Sequence, residues 1–193
     1  EFSPVPGVRV RFFDAGHILG SAGIELTLSE NGSTRKLWFS GDIGRHDMPL
    51  LPEPVLPPAD VDYLIMECTY GDKPHESINE AFQELKEVVI KTVNRGGKII
   101  IPAFAVGRTQ DIVYALNEMV AHNEIPMIPV YVDSPLAVEA SKIFLRYPEY
   151  FDEETRSFMI EHRHPALDFK GLTYVSSVEE SKHLNDLGGP MVI

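Results

Sequence analysis

The chain is short of cysteine, of tryptophan and of positive charge. Its 193 residues hold one cysteine, Cys68, so an internal disulfide and a thiolate zinc centre are both excluded. Such cysteine usage fits a cytosolic setting. No apolar run approaches the ~18 residues of a membrane helix, and the first residues do not read as a signal peptide. Seventeen Lys and Arg stand against 29 Asp and Glu, a net charge of −12. Nonspecific nucleic-acid binders are usually basic, so a phosphate-coated partner would need a local basic or metal-bearing cleft. Internal repeats and low-complexity segments are also missing. Glu1-Phe2 follows no initiator Met and fits a cloning scar. Gly188 to Ile193 stops inside what reads as an opening strand. The expectation is an internal fragment.

What is present is an ordinary globular composition, 44% hydrophobic and 24% charged, enough for one large or two small domains. The organising stretch is Arg35 to Arg45. Leu37-Trp38-Phe39 reads as a buried strand that ends abruptly in Ser40-Gly41-Asp42-Ile43-Gly44. Val8 to Phe13 alternates and reads as a strand. Asp14 to Gly23 breaks it, and Ile24 to Leu28 alternates again. Asn31-Gly32 is a hairpin signal. The first forty residues therefore predict an antiparallel meander. Pro49 to Pro58 is a patternless loop, and Asp62 to Glu67 is a mostly apolar strand with an acidic end.

From Ser77 the period changes. Ile78, Ala81, Phe82, Leu85, Val88, Val89 and Val93 recur at helical spacing, closed by Asn94-Arg95-Gly96-Gly97. Lys98 to Pro102 predicts a strand, Gly107 to Ala121 a helix and Met127 to Val132 a strand. Asp133-Ser134-Pro135 opens another helix with an N-cap and proline. Leu172 to Val175 predicts a strand and Ser177 to Leu187 a helix. Alternating strand and helix predicts a parallel sheet, with the change of grammar near residue 73.

Three strand ends carry chemistry: His17, Asp42 and Glu67. Imidazole and carboxylate are the ligand types of zinc, manganese or iron, although a catalytic zinc usually takes three protein ligands. Taken singly, Asp42 also fits a turn residue bonded to its own backbone, and His17 a loop hydrogen-bonder. Glu67 suits orienting a histidine or carrying a proton, or capping a turn. His46, Asp47, His162 and His164 read as surface. In Pro102 to Gln110, amides at a helix start with Arg108 could hold a phosphate; a packing loop with Arg108 in a salt bridge is the alternative.

Together these pieces resemble the β-CASP branch of the metallo-β-lactamase superfamily. Asp14-Ala15-Gly16-His17-Ile18-Leu19-Gly20-Ser21-Ala22 is similar to its third metal motif and Ser40-Gly41-Asp42-Ile43-Gly44-Arg45 to its fourth. Glu67-Cys68-Thr69-Tyr70-Gly71 resembles its acidic motif A. Ile101 to Gln110 and Val132 to Ala137 are similar to stretches of the β-CASP insertion. The similarity runs from about Pro6 to Ile193, toward the branch of the endonuclease subunit of the cleavage and polyadenylation specificity factor and its prokaryotic relatives.

The resemblance implies an α/β chain: a partial αββα metallo-β-lactamase sandwich over residues 1–72, then an incomplete β-CASP domain over 73–193. It implies a two-zinc RNA-cleaving enzyme, endonuclease or 5′ exonuclease, working by in-line attack of metal-activated water. His17 would bind one zinc, Asp42 would bridge both, and Glu67 would lean on a downstream histidine. Arg108 and Ser134 would line the RNA cleft between the domains. The family's His-x-His-x-Asp-His motif and later histidines are absent, so the piece alone is expected neither to hold both zincs nor to cleave RNA. A small-molecule hydrolase of the same superfamily and a non-catalytic assembly subunit remain as other readings. The expected partner is RNA and not a membrane, with a homodimer or a processing complex as the assembly. The expected location is cytoplasmic, or nuclear in a eukaryote.

Overall fold

The computed structural model describes residues 1–74 and 77–193. The fold is α/β, in two compact units, Glu1–His75 and Glu76–Ile193. The sequence division at 72/73 lies slightly earlier.

The first unit is one four-stranded sheet, β1 (Val8–Asp14), β2 (Ala22–Glu30), β3 (Ser33–Phe39) and β4 (Tyr63–Ile65), paired in that order. No helix occurs among its described residues, so of the expected sandwich this unit presents a single sheet. The β2–β3 hairpin turns on Asn31 and Gly32, both at positive φ, as a two-residue turn matched to strand twist requires. β1 and β3 each pair antiparallel with β2, and β4 pairs parallel with β3. β1, β3 and β4 therefore run in one direction and end at one edge of the sheet.

Burial corrects the reading of Leu37-Trp38-Phe39 as uniformly buried. Trp38 is buried, while Leu37 and Phe39 are half-buried. Period 2 explains this, because Trp38 faces the opposite side of the pleat. Its ring lies over Gly23, where a β-carbon would clash, and beside Phe13, with ring centres 5.0 Å apart. Arg11 stacks on Phe13 at 4.7 Å and reaches buried Glu25 at 3.5 Å. The Asp62–Glu67 strand shortens to β4, an exposed edge strand.

The second unit carries α1 (Ile78–Asn94), β5 (Lys98–Ile99), α2 (Arg108–Ala121), β6 (Val130–Val132) and α3 (Pro135–Arg146), then α4 (Glu153–His162), β7 (Leu172–Tyr174), α5 (Val178–Asp186) and β8 (Met191–Val192). Its sheet order is β5-β8-β6-β7, with every pairing parallel. Ser77 and Glu80 form a capping box at α1, and Ser177 and Glu180 repeat it at α5. Ser134 caps α3, with Pro135 as its first residue. Val113, Tyr114, Leu116 and Met119 of α2 are buried, as are Val130, Val132, Met191 and Val192 of the strands. Each such aliphatic side chain contributes about 1.5–3 kcal/mol of hydrophobic stabilisation. Helix α4 has no counterpart among the predicted elements. Its start is nonetheless coded, since Asp152 accepts from the Thr155 amide at 2.6 Å and Glu153 and Glu154 follow. No helix among the described residues is long and apolar enough to cross a membrane.

Candidate functional site

His17, Asp42 and Glu67 follow directly on β1, β3 and β4, at the edge where those three strands end. Their loops are joined by backbone contacts. Gly44 N–H donates to the Ala15 carbonyl at 2.7 Å. A β-carbon on Gly44 would overlap the Gly16 carbonyl and crowd the His17 nitrogen, so only glycine lets the loops approach this closely. Within the His17 loop, Ser21 Oγ accepts the His17 amide at 3.1 Å and the Ile18 amide at 3.2 Å. The proline-rich loop, unpatterned in sequence, braces the same place. Leu50 is fully buried, Val55 N–H donates to the Asp14 carbonyl at 2.9 Å, and Pro52 and Pro54 fill the space above Gly16.

The Asp42 and Glu67 loops are tied more tightly. Buried Ser40 donates its amide to the Ile65 carbonyl at 2.9 Å, accepts the Glu67 amide on Oγ at 3.1 Å and donates its hydroxyl to the Gly41 carbonyl at 2.6 Å. Glu67 Oε1 accepts the Ile43 amide at 2.6 Å. The Thr69 hydroxyl first, and then this amide, hold the Glu67 carboxyl below the usual carboxylate range. The charge of nearby His17 adds a smaller effect in the same direction. Glu67 is therefore an acceptor-only carboxylate at neutral pH.

His17 and Asp42 are exposed, and their side chains make no hydrogen bond or ion pair among the described residues. One imidazole and one carboxylate are the right donors for zinc. Among the described residues no three His, Cys, Asp or Glu gather where one metal ion could be held. The donors thus fit a zinc centre in kind and would make up part of its ligand set.

The second unit places Arg108 and Ser134 at the starts of α2 and α3. Arg108 is exposed, and its charge acts on Asp111. The phosphate cradle expected here is partly taken up by the protein itself. Gly107 N–H donates to Gln110 Oε1 at 2.8 Å and Thr109 N–H to the Phe104 carbonyl at 3.3 Å. Gln110 is fully buried and also donates to the Ala105 carbonyl and to Ser141 Oγ. Ser134 Oγ accepts the Ala137 amide at 3.3 Å and lines a cavity of about 340 Å³ with Pro102, Thr109, Tyr131 and Asp133.

His46 and Asp47 are exposed, and His46 faces Glu53 at 3.1 Å. The reading of His162 and His164 as exposed is corrected. Both are half-buried against Phe158, whose ring centre lies 4.5 Å from His162 and 5.6 Å from His164, while His122, beside the same ring, is exposed. His162 ends the unpredicted helix α4, and the left-handed turn at Arg163 brings His164 to the same ring.

A family comparison matches residues 109–193 to the Beta-Casp domain. Residues 109–193 belong to the β-CASP family. The chain is 38% identical over 194 residues to "Ribonuclease TTHA0252" of Thermus thermophilus, covering all of this chain and 43% of that protein. It is 32% identical over 192 residues to "Transcription termination factor FttA" of Methanothermobacter thermautotrophicus, covering 97% of this chain and 29% of that one. It is 28% identical over 180 residues to "Endoribonuclease YSH1" of Candida glabrata, covering 91% and 23%. The chain spans less than half the length of each of these relatives.

Proposed function

We propose that this chain carries part of the active site of a metallo-β-lactamase-type ribonuclease that hydrolyses RNA phosphodiesters with two zinc ions. The observation that carries the reading is the gathering of His17, Asp42 and Glu67 at one sheet edge by three strands of common direction. The ribonuclease and endoribonuclease names of the relatives agree with it. His17 and Asp42 would be the residues of this chain that hold zinc. When bound, the metals would activate water and neutralise charge developing on the phosphate. Glu67, ionised and without a proton to give, would orient a histidine and leave proton delivery to it. Arg108 and Ser134 would contact the RNA. Cleavage would be internal or from the 5′ end, in the cytoplasm or, in a eukaryote, the nucleus. A homodimer or a processing complex would be the working assembly. That the side chains of His17 and Asp42 have no hydrogen-bond or ion-pair partner among the described residues favours a ligand role over a purely structural one.

With these two donors among the described residues, the chain by itself would bind fewer than two zinc ions and would not cleave RNA. Elemental analysis of the purified chain tests the donor count, and two stoichiometric zincs would overturn it. In a longer protein that includes this chain, His17→Ala and Asp42→Ala should each abolish zinc-dependent RNA cleavage. Undiminished cleavage by either variant would overturn the reading.

A further inference from the structure

The hydrogen bonds around Asp42 form a closed ring. Starting from the end of β4, the Ile65 carbonyl takes the Ser40 amide, and the Glu67 amide returns to Ser40 Oγ. The Ser40 hydroxyl closes onto the Gly41 carbonyl, and Gly41 turns the chain at φ 60°. Beyond Asp42, the Ile43 amide reaches Glu67 Oε1, and the next amide, Gly44, is held by Ala15. Asp42 is thus fixed on both flanks while its own carboxylate makes no hydrogen bond or ion pair among the described residues. No carbonyl of residues 40–44 takes the Ile43 amide. The acceptor comes from the loop after β4, 24 residues on in sequence.

We propose that Glu67 is a positioning residue, a latch whose carboxylate grips the Ile43 amide and holds the Asp42 side chain in place. The inference deepens the nuclease reading only in taking Asp42 as the side chain so held, and the latch itself needs neither metal nor RNA. A carboxylate accepting a backbone amide is a charge-assisted hydrogen bond, stronger than a neutral one, and suits a loop that must stay fixed. The role requires an acceptor oxygen at this place and does not require a titrating group. Glutamine should therefore serve where alanine cannot.

Amide hydrogen exchange on the whole chain, followed residue by residue, tests the latch in Glu67→Ala and Glu67→Gln. Exchange at Ile43 should accelerate on the order of tenfold to a hundredfold in the alanine variant, with most of the protection kept in the glutamine variant. Amides of β1 and β2 should be unchanged in both. Unchanged Ile43 exchange in Glu67→Ala would overturn the latch. So would a glutamine variant as unprotected as alanine, or acceleration throughout β1–β3 equal to that at Ile43. These results are independent of zinc content and RNA cleavage, so failure of the latch and failure of the nuclease reading are separately visible.

Discussion

Gly44 and Gly16 meet backbone to backbone, with no room for a β-carbon on Gly44 beneath the Gly16 carbonyl. The contact joins the loop that carries His17 to the loop that carries Asp42. Because the obstructing atoms are backbone, the neighbour cannot rotate away as a side chain would. Gly44→Ala should destabilise the first unit by about 2–4 kcal/mol. Urea unfolding followed by fluorescence of Trp38, the single tryptophan, reports on that unit. Gly188→Ala, with open space around it, should change stability little and serves as the control.

Arg108 is exposed at the start of α2, where the neighbouring Gly107 and Thr109 amides already have partners within the protein. A phosphate contact there would draw on the guanidinium and not on those two amides. In a longer protein that binds RNA, Arg108→Ala should weaken binding across sequences and lower the salt slope of log K by about 1. Affinity titrations at several salt concentrations check this, and an unchanged slope would remove Arg108 from the RNA surface.

Asp111, one turn into α2, has its carboxyl pushed up to about 6 by burial, with the Arg108 charge opposing. A carboxylate with a raised folded-state pKa holds its proton more tightly folded than unfolded. Its contribution to stability therefore falls as pH rises from about 4 to about 6, and the penalty stays constant above that. Asp111→Asn should stabilise the second unit at pH 7–8 by an amount on the order of 1–3 kcal/mol and give no gain near pH 3. Thermal unfolding by circular dichroism across that pH range measures it.

Phe158 is buried between α2 and α4 against Tyr114, His122, His162 and His164. Phe158→Ala should cost about 3–5 kcal/mol. It should also move the imidazole resonances of all three histidines in an NMR spectrum, while those of His46, in the other unit, stay where they are.

Much of this was legible in the residues. Alternation located β1 and β2, a run of large apolar residues located β3, Asn31-Gly32 located the turn between β2 and β3, and Ser77, Ser134 and Ser177 announced three helices. The parallel sheet followed from alternating strand and helix. Other features were not legible. Helix α4 has a weak apolar period, so its Asp152 cap stood without a pattern behind it, and His162 and His164 looked like surface. Pro49 to Pro58 showed no periodicity because its role is to brace the Gly16 loop from outside. The phosphate cradle looked open because the inward turn of the Gln110 side chain depends on Ser141, which lies in a different helix.

The sequence by itself determined which residues stand at strand ends and which segments coil or extend, since those follow from local backbone preference and burial period. The tertiary structure alone decided that His17, Asp42 and Glu67 share one edge, because that depends on the direction in which distant strands pair. It also decided that Glu67 takes the Ile43 amide, a hydrogen bond whose partners meet only after the β3–β4 register is set.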